Sequence, residues 1–292
     1  MTKILITGKD IYIGTSFEKW VSQWSDVYKV EAIDVQDDSW KKHDFSVYDV
    51  VLHVAAIVHF KKKNKNLYHK VNRDLTYEIA KKTKFVRVKQ FILLSTMGIY
   101  GIEKGYVDLW TNLNPKTNYA KSKLEAENML LNLVSNTFCL HITRPPMVYN
   151  HNCMGNYVTL SRFAKSMTFV PKFNNSRCLI YIDNLCNFLM NIIECKICGI
   201  SFPQNDEYVS LSNLIFNIRK YAGKNTMRTR ILNISKVFIP LSKNFSKVLG
   251  NLEYSYDMPG SPHGMKKKYK TYYNIFSFED SRKMTEVSEN GK

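Results

Sequence analysis

The sequence begins with a strand-like run, a glycine turn and a helix-like run, in that order. This order restricts the fold more than any other feature of the 292 residues. Lys3 to Ile6 form a short apolar run typical of a buried strand, and Thr7-Gly8 follows it. Apolar residues then recur at helical spacing, so we expect a helix to begin near Gly14. A glycine turn between a buried strand and a helix N-terminus is a layout that binds a pyrophosphate.

Strand-like and helix-like segments alternate through the following residues. Apolar runs typical of buried strands lie at Val30 to Ile33, Val50 to Ala56, Phe91 to Ser95 and Cys139 to Ile142, and helical spacing occurs over Val71 to Thr83 and Tyr119 to Ser135. This alternation predicts an α/β fold with a doubly wound, mostly parallel sheet. Ligands bind at the carboxyl ends of the strands in such sheets, which is where Ala55-Ala56 and Ser95-Thr96 fall.

Asp34 ends the second apolar run and lies 26 residues after Gly8. An acidic residue at this place can accept hydrogen bonds from the adenosine ribose hydroxyls, and it repels a 2′-phosphate. No arginine immediately follows Asp34. The sequence therefore favours NAD over NADP.

Tyr119 and Lys123 are four residues apart, so they share one face of the predicted helix. A nearby ammonium favours phenolate over phenol, and a tyrosine beside a lysine can therefore serve as a general base. Such pairs also arise by chance on solvated helix faces. The position of this pair, after a predicted nucleotide-binding layout, favours the catalytic interpretation.

Several motifs occur together in one order, and with them the chain resembles the extended short-chain dehydrogenase/reductase superfamily, in its nucleotide-sugar epimerase/dehydratase branch. The bacterial capsular-polysaccharide epimerase type is the subgroup it is most similar to. The motifs are Thr7-Gly8 with Gly14, His53-Val54-Ala55-Ala56, Ser95 to Gly101, Tyr119 with Lys123, Arg144 to Tyr149, and Arg177 with Tyr181 to Asn184. The resemblance covers about two-thirds of the chain and implies a Rossmann sheet with a smaller C-terminal substrate-binding domain.

The resemblance also implies roles for individual residues. The catalytic residues are Thr96, Tyr119 and Lys123. The predicted cofactor-binding residues are Gly8, Ile11, Tyr12, Ile13, Gly14, Asp34, Asp44, Ala55, Ala56, Asn72, Ser95, Tyr119, Lys123 and Pro145. The predicted substrate-binding residues are Thr96, Met97, Arg144, Tyr149, Arg177 and Tyr181, and no metal is expected.

The implied activity is NAD-dependent epimerisation at C4 of a UDP-hexose or UDP-N-acetylhexosamine, by transient oxidation, for surface polysaccharide synthesis. The same residues could serve an NAD(P)H-dependent nucleotide-sugar 4-reductase. A scaffold or sensor that binds NAD without turnover is the non-enzyme alternative. No Asp-Glu pair follows Thr96, which disfavours the dehydratases of this branch.

Two residues depart from the family pattern. Ile11 stands where the glycine loop usually has its middle glycine, and a β-branched side chain there could crowd the phosphates or shift the loop. A rearranged loop that still binds NAD and a weakened cofactor site both remain possible outcomes. Asn150 follows Tyr149 where the family usually has glycine.

The chain is basic, with 42 Lys plus Arg against 25 Asp plus Glu and a net charge of +17. Lysine runs lie at Lys61 to Lys65 and at Lys266 to Lys270. No nucleic-acid-binding motif accompanies them, so we expect no nucleic acid partner. Solvated loops explain the runs, and a sugar diphosphate or an acidic membrane surface are the alternatives.

The remaining expectations concern organisation. We expect an NAD-binding domain at 1–175, with an excursion toward the substrate near 150–171, and an interleaved substrate-binding region at 176–292. Within the second region Asn184 to Ile193 and Leu211 to Tyr221 are predicted helices, and the polar stretch from Glu279 is expected to fray. The protein is expected to be a cytoplasmic homodimer without a membrane span. The six scattered cysteines suggest neither a disulfide framework nor a metal site at Cys195 and Cys198.

Overall fold

The computed structural model describes residues 1–58, 65–150, 153, 156–167, 169–171, 175–225, 227–229 and 251–287. Its helices are α1 Tyr12–Val21, α2 Lys65–His69, α3 Thr76–Phe85, α4 Asn118–Leu131, α5 Asn156–Ser166, α6 Ile182–Glu194, α7 Leu211–Tyr221, α8 Pro262–Tyr269 and α9 Phe278–Val287. Its strands are β1 Thr2–Thr7, β2 Tyr28–Ile33, β3 Val50–His53, β4 Gln90–Leu94, β5 Gly105–Val107, β6 Cys139–Thr143, β7 Met147–Tyr149, β8 Phe169–Pro171, β9 Leu179–Tyr181, β10 Gly199–Ser201, β11 Met227–Thr229 and β12 Leu252–Tyr254. A π-helical segment, Lys70–Leu75, joins α2 to α3.

Six parallel strands form the central sheet, in the order β10-β6-β4-β3-β1-β2. The strand order reverses between β1 and β3, and a crevice for a ligand opens at the carboxyl ends of strands at such a point. The predicted doubly wound parallel sheet is confirmed.

The two faces of the sheet are buried in separate apolar clusters, which explains why the strand sequences are almost continuously apolar. Ile4 and Ile6 belong to one cluster, whereas Leu5 between them belongs to the other. Helices α1 and α6 pack against each other, and buried residues of both belong to the first of these clusters. The sheet is therefore covered on both sides, and its carboxyl edge remains for ligands.

The C-terminal half is interleaved with the N-terminal half. Strand β10 is the edge strand of the central sheet, although it lies after the predicted boundary at residue 175. Strand β12 pairs in parallel with β5, and β7 pairs with β9. The predicted helices at 184–193 and 211–221 are confirmed as α6 and α7.

The expectation of a frayed stretch from Glu279 is wrong for residues 279–287, which form most of α9. Phe278, Ser281 and Arg282 are buried, and their spacing places them on one face of the helix. The Ser281 Oγ lies 2.7 Å from the Tyr149 hydroxyl, and the Arg282 guanidinium lies over the Tyr157 ring. Residues 288–292 lie outside the described residues.

The structure contains a disulfide that was not expected, between Cys139 and Cys198. The two residues are 59 positions apart, and they meet because β6 and β10 are neighbouring strands. Cys195 is free and exposed, so the Cys195-Cys198 spacing does not form a pair of its own.

The two lysine runs of the sequence are described by the structure only in part. The side chains of Lys61 to Lys65 lie outside the described residues, whereas Lys266 to Lys268 are exposed on α8.

Among the helices that the structure describes, none has the length and apolarity that a bilayer crossing requires.

Candidate functional site

Gly8 and Gly14 allow the chain to pass close to β3 at the carboxyl end of β1. Gly8 has a φ of +122°, and a Cβ there would lie 2.8 Å from the Ala55 backbone nitrogen. A Cβ built on Gly14 would lie 3.0 Å from the Ile6 Cγ2, which is almost as close. The strand, the turn and the first turn of α1 therefore pack closely, and their order is the one that the sequence predicted.

Ile11 fits the loop without needing glycine. It is the N-cap residue of α1, with φ −76° and ψ 128°, a conformation that any residue adopts. Asp10 takes the left-handed conformation instead, with φ 61°. The Ile11 side chain is partly buried against the apolar cluster that contains Ile4 and Ile6, together with Tyr12 and Ile13. The loop therefore accommodates Ile11 without backbone strain at that residue.

A cavity of about 860 Å³ opens at the β1–β3 switch point, a size typical of ligand sites. Five predicted cofactor residues line it, namely Gly8, Ile11, Asp34, Ala55 and Ala56. Five carboxylates line the cavity, those of Asp34, Asp37, Asp38, Asp74 and Glu78. Only three ammonium groups line it, those of Lys9, Lys41 and Lys70. This acidic balance disfavours a ligand with an additional phosphate.

Nine of the fourteen predicted cofactor residues are not among the cavity-lining residues, and Asn72 and Asp44 are two of them. Asn72 is fully buried, and its amide donates to the Ile57 carbonyl and the Ser122 hydroxyl at 3.0 and 3.1 Å, while its oxygen accepts from the Ile57 nitrogen at 2.8 Å. It therefore fastens the loop after β3 to α4 instead of reaching the cavity. Asp44 is exposed and accepts hydrogen bonds from Ser46, and it is not among the cavity-lining residues.

The predicted catalytic residues meet where β4 ends and α4 begins. Thr96 caps the 3₁₀ turn Met97–Tyr100, and its Oγ1 accepts from the Gly98 nitrogen at 3.0 Å. Tyr119 lies in the first turn of α4, whose N-cap is Thr117. A Cβ built on Gly98 would lie 3.3 Å from the Thr96 Oγ1 and 3.9 Å from the Ala120 Cβ, so the turn packs directly against α4.

The electrostatics of this pair differ from the prediction. Burial raises the pKa of Tyr119 to about 12, so the phenol is neutral at pH 7. Burial also lowers the pKa of Lys123 to about 8, against the opposing effect of the Glu127 carboxylate. The Lys123 Nζ donates to the Leu94 carbonyl at 2.8 Å. The expected lowering of the Tyr119 pKa by Lys123 is therefore not realised in this state of the protein.

Arg144 was predicted to bind substrate, but it is held in a buried ion pair. Its Nη2 lies 2.5 Å from the Glu127 Oε2, and its Nη1 donates to the Tyr100 hydroxyl at 3.1 Å. Only 6% of Arg144 and 1% of Glu127 are exposed. Glu127 was not predicted as a site residue, although its spacing of four residues after Lys123 places it on the face of α4 that carries Tyr119.

The other predicted substrate residues lie deeper than expected. Tyr149 has no exposed surface, and its hydroxyl accepts from the Asn205 amide at 3.0 Å. The Tyr181 ring is buried 5.6 Å from the Tyr149 ring, and Arg177 is half-buried, with its backbone nitrogen bonded to the Val209 carbonyl. Both rings are buried in the core, and the contacts of Tyr149 and Tyr181 with substrate stay predictions.

Ser95, Met97 and Pro145 are buried at the ends of β4 and β6. The Ser95 nitrogen donates to the Thr143 carbonyl at 2.8 Å, and the Met97 nitrogen donates to the Pro145 carbonyl at 3.0 Å. These bonds keep the two strand ends together beside Thr96.

Comparison with known proteins supplies independent findings. A family model described as the NAD dependent epimerase/dehydratase family matches residues 8–195. UDP-glucose 4-epimerase of Vibrio cholerae is 29% identical over 219 residues, which cover 65% of this chain and 66% of that protein. An N-acetyl-alpha-D-glucosaminyl-diphospho-ditrans,octacis-undecaprenol 4-epimerase of Escherichia coli O157:H7 is 26% identical over 161 residues, covering 53% of this chain and 49% of that protein. The chain thus spans less than two-thirds of the length of either relative.

The fold is similar to that of UDP-glucuronic acid 4-epimerase from Bacillus cereus, solved in complex with NAD. The TM-score is 0.75, and the match covers 100% of both chains at 19% sequence identity. At this identity the likeness is one of fold.

Proposed function

This chain belongs to the NAD dependent epimerase/dehydratase family, and from that premise we propose that it inverts C4 of a nucleotide-activated sugar by transient oxidation. The observation that carries the proposal is the packing of the Thr96 turn against the first turn of α4, which holds Tyr119. Both elements lie at the carboxyl edge of the sheet whose switch point forms the cavity. We further propose UDP-hexoses or UDP-N-acetylhexosamines as substrates, in surface polysaccharide synthesis.

The cavity suits the NAD on which the family depends. Gly8 and Ala55 bring two backbones close enough for a pyrophosphate to approach, and α1 presents its N-terminus, where Ile11 offers no side-chain cap. Asp34 stands at the end of β2, where it can accept hydrogen bonds from the ribose hydroxyls. NAD, when bound, supplies the acceptor and the donor of the hydride.

The residues of the chain supply proton transfer and orientation. Tyr119, as phenolate, takes the proton from the C4 hydroxyl of the sugar and returns it when the inverted alcohol forms. Thr96 hydrogen-bonds the same sugar oxygen and orients it. Lys123 holds the nicotinamide ribose hydroxyls, and its positive charge favours the phenolate. The keto sugar turns over in the site between the two proton transfers, so that hydride returns to its other face.

The test is a panel of UDP- and dTDP-sugars, incubated with the purified protein and NAD and followed by NMR of the anomeric protons. Interconversion of a C4 epimer pair supports the epimerase. Stoichiometric consumption of NAD(P)H with a reduced sugar indicates the 4-reductase instead. Bound NAD with no bound sugar of any kind indicates the scaffold and contradicts both enzymes.

A sugar carried on a lipid diphosphate is a second candidate substrate, and one surface feature favours it. The loop between the Thr96 turn and α4 exposes Tyr106, Leu109, Trp110 and Leu113, with Trp110 88% exposed. Both ends of this loop lie at the site, since Gly101 packs against Asn114 and Thr117 caps α4. Exposed tryptophan and tyrosine side chains suit a membrane interface, and a net charge of +17 suits an anionic one. The Escherichia coli relative is named for such a lipid-linked sugar.

Sedimentation with vesicles that contain anionic phospholipid tests this membrane contact. We expect wild-type protein to bind and Trp110→Ala to bind less, whereas Phe85→Ala changes an equally exposed aromatic side chain, 87% accessible, on α3 and serves as the control. Equal binding of all three proteins, or none by any, contradicts the contact.

The remaining expectations stay proposals. We infer a cytoplasmic homodimer, and light scattering at twice the chain mass tests the dimer. We also retain the division into a nucleotide-binding and a substrate-binding region, with the C-terminal region supplying β10 to the sheet.

A further inference from the structure

Glu127 is a buried carboxylate beside the carboxyl ends of β4 and β6, and the proposed mechanism does not use it. One of its oxygens accepts a hydrogen bond from the Ser95 hydroxyl. The other lies 2.5 Å from the Arg144 Nη2 and accepts from the Arg144 Nε at 3.2 Å. Only 1% of Glu127 is exposed. A charge buried this fully must be compensated by its partners, so the network is closely specified.

The same helix face carries Tyr119, Lys123 and Glu127 at successive spacings of four residues. The Lys123 Nζ is bonded to the Leu94 carbonyl, while Glu127 holds the side chain of the next residue, Ser95. Two adjacent turns of α4 therefore fasten two adjacent residues of the chain. The residue after them is Thr96, so this contact sets where β4 delivers its hydroxyl.

We propose that Glu127 is a positioning residue, which acts on Lys123 from the next turn of α4 and, through Ser95, fixes the strand end that carries Thr96. The inference rests on the proposed function, which it extends by one residue. Glu127 itself touches neither substrate nor cofactor and acts through Lys123 and Ser95.

The surrounding charges determine the direction in which the loss of Glu127 shifts the pKa of Lys123. The titratable groups that face Lys123 and Glu127 from the elements packed against α4 are His53, Tyr100, Arg144 and Tyr254. Burial lowers the pKa of His53 to about 3 and raises the pKa values of the two tyrosines, so these three groups are neutral at pH 7. The Glu127 carboxylate thus acts on both the Lys123 ammonium and the Arg144 guanidinium. Without it, Lys123 loses an opposite charge and gives up its proton at lower pH.

The test compares the pH dependence of kcat/KM for wild-type protein and Glu127→Gln, since kcat/KM reports ionisations of the free enzyme. We expect the alkaline limb of the profile to move toward lower pH by about one unit in Glu127→Gln. Glu125→Gln is the matched control, because Glu125 lies on the same helix but pairs with the partly exposed Arg73. Its profile should coincide with that of the wild type.

Two further variants separate positioning from loss of folding. Glu127→Asp retains the charge and should retain the wild-type alkaline limb, with a reduced kcat. Should Glu127→Gln fail to fold, Glu127→Gln combined with Arg144→Met removes both members of the buried ion pair and should still show the lowered limb. An unmoved alkaline limb in the folded variant, with only a lower rate, overturns the proposal.

The affinity for NAD against pH gives a second readout that needs no turnover. Lys123 is proposed to hold the nicotinamide ribose, so its deprotonation should weaken NAD binding at high pH. In Glu127→Gln the pH at which NAD binding weakens should be lower, as for the alkaline limb of kcat/KM. If no sugar is converted by wild-type protein, the proposed function fails while this titration still tests Glu127. Superimposable affinity profiles for both proteins then contradict the positioning role.

Discussion

The hydroxyl of Tyr119 lies in surroundings that work against its ionisation. Its pKa is raised to about 12 by burial, so at pH 7 the unliganded protein holds a neutral phenol. The positive charges that could lower this pKa are the Lys123 ammonium and the oxidised nicotinamide. We therefore expect the ionisation of Tyr119 to be coupled to cofactor binding.

Replacement of Tyr119 by Phe should lower kcat by about 10² to 10⁴-fold, because only the ionisable oxygen is removed. NAD affinity and the melting temperature should change little. The measurement is turnover of the converted sugar together with an NAD titration. Tyr106→Phe, at a 53% exposed tyrosine, is the control and should keep wild-type activity. Retention of most activity by Tyr119→Phe would exclude Tyr119 as the acid and base.

Asp34→Ala should weaken NAD binding by about tenfold, because a hydrogen bond to a charged acceptor is lost. The preference for NAD over NADP should narrow without reversing, since Asp37, Asp38, Asp74 and Glu78 still line the cavity. Calorimetric titration with both dinucleotides measures this. Asp26→Ala changes an acid outside the cavity lining and should leave both affinities unchanged. Unaltered discrimination in Asp34→Ala would remove Asp34 from the site.

Ile11→Gly separates crowding of the phosphates from support of the loop. Ile11 packs partly against the apolar cluster, so the free energy of unfolding should fall by about 1–2 kcal/mol. NAD should bind equally well or more tightly, since the loop conformation does not depend on a side chain at this position. Ile11→Val, which retains the packing, is the control for both measurements. Substantially weaker NAD binding in the glycine variant would show that Ile11 supports a specialised loop.

At the scale of secondary-structure elements, α9 anchors the C-terminal part of the chain to the substrate side of the core. Phe278 packs against the Tyr149 ring at 6.2 Å, and Ser281 contacts the Tyr149 hydroxyl. This helix thereby buries the tyrosine that was predicted to face the substrate.

Phe278→Ala should destabilise the protein by about 3 kcal/mol, because it leaves a cavity against Tyr149. Phe85→Ala makes the same chemical change at an exposed position and should cost little. Urea denaturation followed by circular dichroism compares the two. Equal midpoints for both variants would show that α9 is not packed in solution.

The sequence predicted those elements whose patterns are local. The buried strands, the glycines at 8 and 14 and the Tyr119–Lys123 pair each follow from residues close together in the chain. The roles of Arg144 and Glu127 depend on an ion pair between the residue after β6 and α4, and such a contact between distant segments cannot be read from the sequence. The disulfide was missed for the same reason, since β6 and β10 become neighbours only through the sheet order. The α9 helix was missed because its residues are mostly polar and its buried face is narrow.

At the scale of the whole molecule, the two halves of the chain depend on each other. Helix α6 covers α1, and β10 completes the sheet beside β6. A chain that ends at residue 175 lacks both elements and exposes the apolar face of α1 that includes Phe17 and Val21.

A chain truncated after residue 175 should therefore fail to unfold cooperatively and should tend to aggregate, because its largest apolar cluster is incomplete. The measurement is urea denaturation by circular dichroism and fluorescence, with the full chain as the reference. Coincident, cooperative transitions in the truncated chain, together with NAD binding, would establish an independent N-terminal domain.

The pairing of β5 with β12 has a consequence for the newly made protein. The two strands are separated by about 150 residues, which a ribosome adds in roughly 7–30 s at about 5–20 residues per second. During that interval Tyr119 and Thr96 have already been synthesised, but the strand on the segment between them still lacks its neighbour. The segment that joins the Thr96 turn to α4 therefore stays without its strand partner until β12 has been synthesised.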